Sequence, residues 1–387
     1  MHGPVPLRRV LAGGALVALT ALPALVAAPA SAAPASAAPS AAGAPGESSL
    51  LDRPLVFAHR GASGYRPEHT LAAYELAIRL GADVIEPDLV STKDRVLVAR
   101  HENEISETTD VGERREFAGR RTTKMIDGVA KTGWFTEDFT YAELRSLRAV
   151  ERLPDVRQEN TIYDGRYFVP TFQQVIDLAE RASRETGRQI GLAPETKHPT
   201  YFDSIGKSLE GPLINAIKRN GLDRPDAGVY VQSFEEANLR KLNRKLQVDL
   251  VQLTSPDPMA QPYDHVVSGD PETYAQMTTR RGLGIVARYA DVLGPEKTQI
   301  FPRDSRDRAL APTSLVADAH DKGLLVVPYT FRAENMFLPT QYDSSDDLSA
   351  FGDLFGEIEA ALRAGVDGFF TDHTDIGVIA RDEFLDD

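Results

Sequence analysis

Short apolar runs alternate with amphipathic stretches along most of the chain. Residues 55–58 form an apolar run that suits a strand buried on both faces. Pro67 is predicted to be the first residue of a helix with one apolar face, and Gly81 is predicted to end that helix. Residues 83–89 and 96–99 are predicted to be strands separated by a polar turn. The pattern therefore begins as strand, helix, strand.

The alternation resumes at residue 171 and continues towards the C-terminus. Further helices are predicted at 171–186, 204–220, 235–245, within 271–289, and at 313–322, 353–364 and 374–384, with strands at 189–195, 228–232, 249–253, 290–293, 324–328 and 368–370. About eight strand–helix units can form an open doubly wound sheet or a closed barrel. Their number favours the barrel, and no glycine-rich dinucleotide fingerprint follows the first strand. The predicted fold is an α/β TIM (β/α)8 barrel.

Two polar stretches interrupt this alternation. Residues 104–168 are charged and poorly periodic, with one short helix predicted at 141–147, and they contain the only tryptophan, Trp134. A long stretch of this kind inside a compact domain usually has a function. We interpret 104–168 as an insertion over the C-terminal mouth of the barrel, where TIM-barrel active sites lie. Residues 331–352 are a second polar excursion within the same predicted domain, 53–387.

The N-terminus has the pattern of an export signal. Arg8 and Arg9 precede an apolar stretch that is followed by small-residue cleavage sites. Pro23 interrupts the apolar stretch, which disfavours the alternative of a transmembrane anchor. Residues 1–37 are predicted to hold the export signal and the start of a disordered leader, and 38–52 the rest of the leader. We therefore expect a secreted protein without a stable membrane anchor.

Composition excludes several classes of function. The chain has 43 Lys and Arg against 57 Asp and Glu, which gives a formal net charge of −14. A nucleic-acid-binding protein needs a basic face, so no nucleic-acid partner is expected. The chain has no cysteine, which excludes disulfides, zinc–thiolate sites and cysteine nucleophiles. It also lacks a G-x-S-x-G nucleophile elbow. Cation sites built from carboxylates are compatible with this composition.

Three carboxylates at predicted strand ends indicate a metal site. Glu86 and Asp88 are two residues apart in a strand, so their side chains project from the same face. Two facing anions repel each other unless a proton or cation relieves them, and a hard divalent cation does so with oxygen ligands. Glu195, at the end of the next barrel strand, supplies a third oxygen ligand. The alternative is a solvated strand end that pairs with Lys93 or Arg95.

Two histidines at strand ends indicate acid–base chemistry. His59 and His101 can each give or take a proton near neutral pH. Arg60 has a planar guanidinium that suits a phosphate, and Lys197 can hold another phosphate oxygen. The alternative is that the histidines are ordinary strand-end residues and the cations form surface ion pairs. His69 is predicted to be only a capping or packing residue in the first turn of a helix.

Several motifs resemble one enzyme family. The runs HRGASGYRPEHT, GADVIEPDLVSTKD and VARHE closely resemble glycerophosphodiester phosphodiesterases, particularly the periplasmic or secreted bacterial branch. PETKHP, VQSF, YADVLGP, VPYTFR and GVDGFFTD follow in order, so the resemblance covers essentially all of the chain from about residue 53. There are two departures. Glu102 follows His101 where the family usually has Asp, and His373 and Thr374 follow Asp372 where it tends to have x-Pro.

The resemblance implies a TIM barrel with a segment inserted after the first two β/α elements. It also implies a divalent metal, usually Ca2+, with Mg2+ or another divalent cation as the alternative. The implied site residues are Glu86, Asp88 and Glu195 for the metal, His59 and His101 for acid–base catalysis, Arg60 and Lys197 for the phosphate, and Gln232, Tyr329, Phe331 and Phe369 for the pocket wall.

The expected function is hydrolysis of glycerophosphodiesters to sn-glycerol 3-phosphate and an alcohol such as choline or ethanolamine. His59 is assigned as the base and His101 as the acid, and the attacking oxygen is either the glycerol 2-hydroxyl or water. One alternative is a phosphodiesterase that acts on lysophospholipids or teichoic-acid-type polymers. Another is a secreted protein that binds glycerophosphodiesters without turnover. The expected partner is a small-molecule phosphodiester, and the sequence leaves the oligomeric state open.

Overall fold

Eight parallel strand segments, each followed by a helix, form a barrel within residues 51–387, the part of the chain that the computed structural model describes. The predicted export signal (1–37) and most of the predicted leader (38–52) lie outside these residues. In chain order the strands are β1 (Leu55–His59), β2 (Val84–Glu86), β3 (Asp88–Ser91), β4 (Leu97–Ala99), β5 (Thr122–Ile126), β6 (Val129–Gly133), β7 (Gly191–Leu192), β8 (Glu195–Thr196), β9 (Tyr230–Ser233), β10 (Asp249–Thr254), β11 (Val292–Pro295), β12 (Leu325–Val326) and β13 (Gly368–Thr371).

Two of the barrel strands are interrupted at a proline. Pro87 separates β2 from β3, and Ala193 with Pro194 separates β7 from β8. Proline has no N–H to give to a strand ladder, so the regular pairing stops there. Backbone hydrogen bonds from Glu195 N to Pro87 O (3.0 Å) and from Gln232 N to Pro194 O (2.9 Å) keep the segments in register. Each interrupted pair therefore acts as one barrel strand.

The strands close into a barrel. The order is β1, β2–β3, β7–β8, β9, β10, β11, β12 and β13, and β13 pairs in parallel with β1. Between the segments of β12 and β13, Asp367 N bonds to Val326 O (2.9 Å) and Phe370 N bonds to Pro328 O (3.0 Å). The predicted TIM barrel is confirmed.

Side chains alternate between the barrel interior and the layer under the helices. The interior cluster consists of Phe57, Val84, Ala193, Val251, Leu253, Val292, Val327 and Phe370. Their sequence neighbours, such as Val56, Ala58 and Phe369, belong instead to the larger outer core. This division follows from the two-residue period of a strand. A shift of one residue therefore moves a side chain from one layer to the other.

Most of the helices begin close to their predicted positions. They are α1 (Leu71–Arg79), α2 (Tyr141–Leu144), α3 (Phe172–Thr186), α4 (Pro199–Ser204), α5 (Glu210–Arg219), α6 (Glu236–Asn243), α7 (Tyr263–Ser268), α8 (Tyr274–Met277), α9 (Arg280–Val286), α10 (Leu315–His320), α11 (Leu354–Arg363) and α12 (Thr374–Asp386). At the start of α3, the Thr171 hydroxyl accepts from Gln174 N, and the Gln174 side chain accepts from Thr171 N. None of the helices in the described residues is long and apolar enough to cross a membrane.

The predicted start of α1 at Pro67 is wrong. The helix begins at Leu71, because the hydroxyl of Thr70 accepts from Ala73 N and caps the first turn. The residues between β1 and α1 form a loop in which Arg60 and His69 both have positive φ, 61° and 55°. His69 therefore precedes the helix and does not lie in its first turn.

The insertion, 104–168, lies against the C-terminal ends of the barrel strands. Arg157 binds Asp372, which directly follows β13. Lys131 forms an ion pair with Glu102, which follows the antiparallel strand β4. These contacts place the insertion over the mouth of the barrel, as predicted.

Part of the insertion is a β-hairpin that we did not predict. Strands β5 and β6 are joined through Asp127 and Gly128, whose φ angles of 46° and 80° suit a two-residue type I′ turn. The Asp-Gly pair is a sequence signal for such a turn, but the flanking strands are mostly exposed and lack apolar alternation. The predicted helix at 141–147 is shorter than expected and ends at Leu144.

The second excursion, 331–352, is held together by its own side chains. It contains two single-turn helices, Asn335–Phe337 and Thr340–Tyr342. The Asn335 amide donates to the backbone oxygens of Asp347 (2.7 Å) and Ser345 (3.1 Å). This stretch is therefore an ordered loop.

Candidate active site

Three buried carboxylates meet where β2, β3 and β8 reach the barrel mouth. Glu86, Asp88 and Glu195 can each direct one oxygen to a common point, since these oxygens lie within 4.8 Å of one another. The side chain of Gln232 and the backbone N–H of Arg60 donate to Glu86 at 3.3 and 2.6 Å. The structure thus brings together all three predicted metal ligands.

Burial and mutual repulsion disfavour the ionised form of two of these three carboxylates. Burial, followed by the nearby Asp88, raises the pKa of Glu86 well above its usual value. Burial also raises the pKa of Glu195 to about 8, although Lys197 opposes the shift. Burial alone would raise the pKa of Asp88, but Lys197, His69 and Arg60 hold it well below the usual value. A divalent cation would relieve this repulsion.

Asp88 has one oxygen available for such a cation. His69 Nε2 lies 2.9 Å from Asp88 Oδ2, and His69 Nδ1 lies 2.7 Å from the Tyr74 hydroxyl. Asp88 Oδ1 is buried and has no hydrogen-bond partner among the described residues. A buried carboxylate oxygen without a partner is costly, and a cation ligand is a suitable role for it. The donor set therefore fits a hard divalent cation with oxygen ligands.

Two cations border the carboxylates. Arg60 Nη1 donates to Glu68 Oε2 at 3.0 Å, and its buried Nε lies 3.5 Å from Asp88 Oδ2 and has no hydrogen-bond partner among the described residues. Lys197 Nζ lies 3.0 Å from Glu195 Oε1. Both residues line the same cavity, so their charges can reach one bound phosphate.

His59 has a fixed orientation. Its Nδ1 lies 2.6 Å from Asp372 Oδ1. Burial alone would raise the pKa of Asp372, but Arg332, Arg157 and His59 hold it well below its usual value. An ionised Asp372 can only accept, so the ring carries its proton on Nδ1 and leaves Nε2 as a proton acceptor. Burial, and then Arg60, lower the pKa of His59 to about 4, which keeps the ring neutral at pH 7.

His101 is more open to solvent. Its side chain is 29% exposed, and its Nδ1 lies 3.6 Å from Glu102 Oε1. The partial burial of the ring, followed by the positive charges of Arg60 and Lys197, lowers the pKa of His101 well below its usual value. The ring lacks the short carboxylate contact that orients His59. A bound phosphate would counter the two cations and make protonation of His101 easier.

One cavity of about 120 Å³ joins these groups. It is lined by His59, Arg60, Glu86, His101, Glu195, Lys197, Gln232, Phe234, Leu253, Tyr329, Thr330, Arg332 and Phe370. Gln232 and Tyr329 thus line the cavity, as the sequence led us to expect.

Phe331 and Phe369 do not line this cavity, and that prediction is wrong. Both rings are buried in the outer core and meet edge-on, with centroids 5.6 Å apart. Because side chains alternate along a strand, their neighbours Arg332 and Phe370 face the cavity instead. A further aromatic residue of the cavity that the sequence did not indicate is Phe234, which follows β9 and lies with its ring 5.7 Å from Lys197 Nζ.

Replacing Phe369 with alanine is therefore expected to affect stability and leave substrate binding unchanged. Loss of a fully buried phenylalanine typically lowers the free energy of unfolding by about 3–5 kcal/mol. Chemical denaturation of the variant measures this change, and KM of the folded fraction should stay at the wild-type value. The matched variant Phe234→Ala should raise KM. An equal rise of KM in both variants would contradict the assignment of Phe369 to the outer core.

Several residues that support the site carry little or no sequence signal. His69 holds Asp88, and Glu68 pairs with both Arg60 and Arg152. Our prediction that His69 only caps or packs at a helix start is wrong, because it binds a carboxylate of the site. The position of Asp88 at a strand end indicated a site residue. It did not indicate that His69, nineteen residues earlier in the chain, would bind its carboxylate.

Comparison with known proteins agrees with this geometry. A model of the glycerophosphoryl diester phosphodiesterase family matches residues 59–376. A glycerophosphodiester phosphodiesterase of Arabidopsis thaliana is 35% identical over 83% of this chain and 84% of its own length. One from Haemophilus influenzae is 28% identical over 86% of this chain and 89% of its own.

A solved structure has the same fold. It is a phosphodiesterase of Oleispira antarctica in complex with the product sn-glycerol-3-phosphate, and it is 18% identical, with a TM-score of 0.52, over 85% of this chain and 97% of its own. The predicted resemblance to this enzyme family is confirmed at the level of the family. This chain belongs to the glycerophosphoryl diester phosphodiesterase family of enzymes.

Proposed function

We propose that this enzyme hydrolyses glycerophosphodiesters to sn-glycerol 3-phosphate and an alcohol, and that it requires a divalent cation. The observation that carries the proposal is one cavity lined by Arg60, Lys197, both histidines and two members of the carboxylate cluster, Glu86 and Glu195. The relatives named above act on substrates of this class according to their names. A solute-binding protein would need no proton acceptor fixed like His59.

The roles of the side chains follow from their chemistry. Arg60 and Lys197 bind the nonbridging phosphate oxygens and offset the charge that grows on them. His59 Nε2 accepts the proton of the attacking oxygen, which belongs to the glycerol 2-hydroxyl or to water. His101, protonated once the phosphate is bound, gives its proton to the departing alcohol oxygen. A new P–O bond forms as the bond to the departing oxygen breaks. Attack by water gives glycerol 3-phosphate directly, whereas attack by the 2-hydroxyl gives a cyclic phosphate that a water molecule then opens to the same product.

A cation held by Glu86, Asp88 and Glu195 would neutralise part of the phosphate charge and polarise its P–O bonds. We propose Ca2+ because its usual ligands are oxygens, of which the site offers three carboxylates. Mg2+ or another divalent cation is the alternative.

A second candidate substrate is the end of a teichoic-acid-type polymer. The cavity shares Tyr329, Thr330 and Arg332 with a neighbouring open cavity of about 430 Å³. A leaving group longer than choline can extend into this space, and the Arg332 guanidinium suits a second phosphate there. Comparing kcat/KM for glycerophosphocholine and for a glycerol phosphate oligomer tests this candidate.

We also propose that the enzyme is exported, as the secreted or periplasmic bacterial branch of the family is. The support is the N-terminal sequence with Arg8 and Arg9, its apolar stretch and its small-residue cleavage sites.

Incubation with glycerophosphocholine, with and without EDTA, tests the proposed function. We expect release of glycerol 3-phosphate in the presence of Ca2+, loss of release in EDTA, and recovery when Ca2+ is added in excess. An enzyme-coupled assay of glycerol 3-phosphate measures all three. Binding without release would favour the solute-binding alternative, and full activity in EDTA would contradict the cation requirement.

A further inference from the structure

Arg157 connects the insertion to the loop after β1 and to the end of β13. Its side chain is only 4% exposed. Its Nη2 donates to Asp372 Oδ2 at 2.6 Å, its Nε to Glu334 Oε1 at 2.5 Å, and its Nη1 to the backbone oxygen of Ser63 at 3.1 Å. All three nitrogens of the guanidinium thus donate, each to a different segment of the barrel mouth.

Two of these contacts lead directly to His59. Asp372 uses Oδ1 for His59 Nδ1 and Oδ2 for Arg157. Ser63 donates its hydroxyl to the backbone oxygen of His59 at 2.8 Å, while its own backbone oxygen accepts from Arg157. Arg157 therefore binds two neighbours of His59. One is Asp372, the partner of the His59 ring, and the other is Ser63, in the loop that follows His59.

Arg157 does not touch the substrate cavity. It is absent from the residues that line the cavity, whereas Arg332 lines it. Arg332 also donates to Asp372 Oδ2, through Nε at 2.9 Å, but its side chain is 22% exposed. Arg157 is the more buried of the two cations that bind Asp372. Its own position is fixed by two further hydrogen bonds, to Glu334 and to the backbone oxygen of Ser63.

We propose that Arg157 is a positioning residue, through which the insertion fixes Asp372 and thereby the ring orientation and tautomer of His59. This inference rests on the proposed function, since it assigns His59 as the proton acceptor. Loss of Arg157 leaves Asp372 Oδ2 held by Arg332 alone, so the carboxylate can rotate and the His59 ring loses the fixed position of its Nδ1 acceptor. Binding of the phosphate by Arg60 and Lys197 is left intact.

The kinetic test uses the full-length protein with Arg157→Met, Arg157→Lys, Asp372→Asn and the double variant Arg157→Met/Asp372→Asn. We expect Arg157→Met to lower kcat roughly 10–100-fold, as for other residues that orient a reacting group, with KM within about twofold of wild type. Arg157→Lys keeps the positive charge but lacks the planar guanidinium with its several donors, so its loss of kcat should be smaller. The control Arg115→Met removes an exposed arginine of the same insertion and should change neither constant.

The double variant separates positioning from a general structural role. If Arg157 acts through Asp372, adding Arg157→Met to Asp372→Asn should lower kcat no further. The proposal would be overturned if the kcat losses of the two single variants multiplied in the double variant. It would also be overturned if Arg157→Met raised KM and left kcat unchanged. Circular dichroism and the melting temperature show which variants are folded. If Arg157→Met does not fold, Arg157→Lys replaces it in the double-variant comparison.

A second measurement does not depend on turnover. Nitrogen-15 NMR of the His59 imidazole should show the tautomer with the proton on Nδ1 in wild type and a mixture of tautomers in Arg157→Lys or Arg157→Met. An unchanged tautomer in a folded variant would overturn the proposal. If wild type hydrolyses no diester but the tautomer still shifts, the proposed function fails while the contact between Arg157, Asp372 and His59 stands.

Discussion

Replacing His59 with alanine is expected to lower kcat for glycerophosphocholine roughly 10²–10⁴-fold, the contribution of a positioned general base. Of the two imidazole rings described in the cavity, His59 has the shorter carboxylate contact, and its pKa of about 4 keeps it neutral over the pH range of the assay. KM should change little, because Arg60 and Lys197 hold the phosphate. Steady-state kinetics of the purified variant measure both constants.

The control for this variant is His265→Ala. His265 is also buried, but it lies on α7, pairs with Glu236 and does not line the cavity. Its loss should leave kcat unchanged. A His59→Ala enzyme that retains more than a tenth of the wild-type kcat would refute the assignment of His59 as the base.

Replacing Asp88 with alanine should abolish measurable activity, with partial recovery in excess Ca2+. The variant loses one of three carboxylate ligands and also the partner of His69, so the remaining ligands bind a cation more weakly. The melting temperature of the variant is the second measurement, after its activity. Ca2+ should raise it in wild type, because a ligand that binds the folded state stabilises it, and should raise it much less in the variant.

A variant in a second, separate group of acidic residues provides the comparison. Glu236, His265 and Glu272 form another group that could hold a metal ion, outside the cavity. Glu272→Ala should leave both the activity and the Ca2+-dependent rise in melting temperature unchanged. If Asp88→Ala keeps the full Ca2+ effect and full activity, then the cation does not bind at Glu86, Asp88 and Glu195.

Much of the fold and the centre of the site followed from local sequence. The apolar runs and helix signals predicted eight β/α units, because a strand buried on both faces and a helix with one apolar face leave distinct patterns. Glu86 and Asp88 were predictable as a pair because residues two apart in a strand share a face. His59, Arg60 and Glu195 follow the same logic, since active groups gather at the C-terminal ends of barrel strands. His101 instead follows β4, the antiparallel strand that returns along β3.

The sequence did not predict whether the side chains of Phe331 and Phe369 point into the cavity or into the layer under the helices. Barrel strands are apolar on both faces, so alternation of polar and apolar residues does not mark the interior. Phe369 and Phe370 are chemically identical neighbours, yet one packs under the helices and the other lines the cavity. The register of β13 against its neighbours makes that choice.

The sequence by itself determined the barrel, the cluster of three carboxylates and the two histidines of the cavity, because each depends on spacing within one strand or on the order of strands along the chain. Only the tertiary structure decided which residues support them. Asp372 lies 313 residues after His59, and Arg157 lies 215 residues before Asp372. Pairs so distant leave no local pattern, since a buried arginine in a polar insertion has the same sequence surroundings as an exposed one. Barrel closure brings the ends of β1 and β13 together, and the insertion then places Arg157 against both.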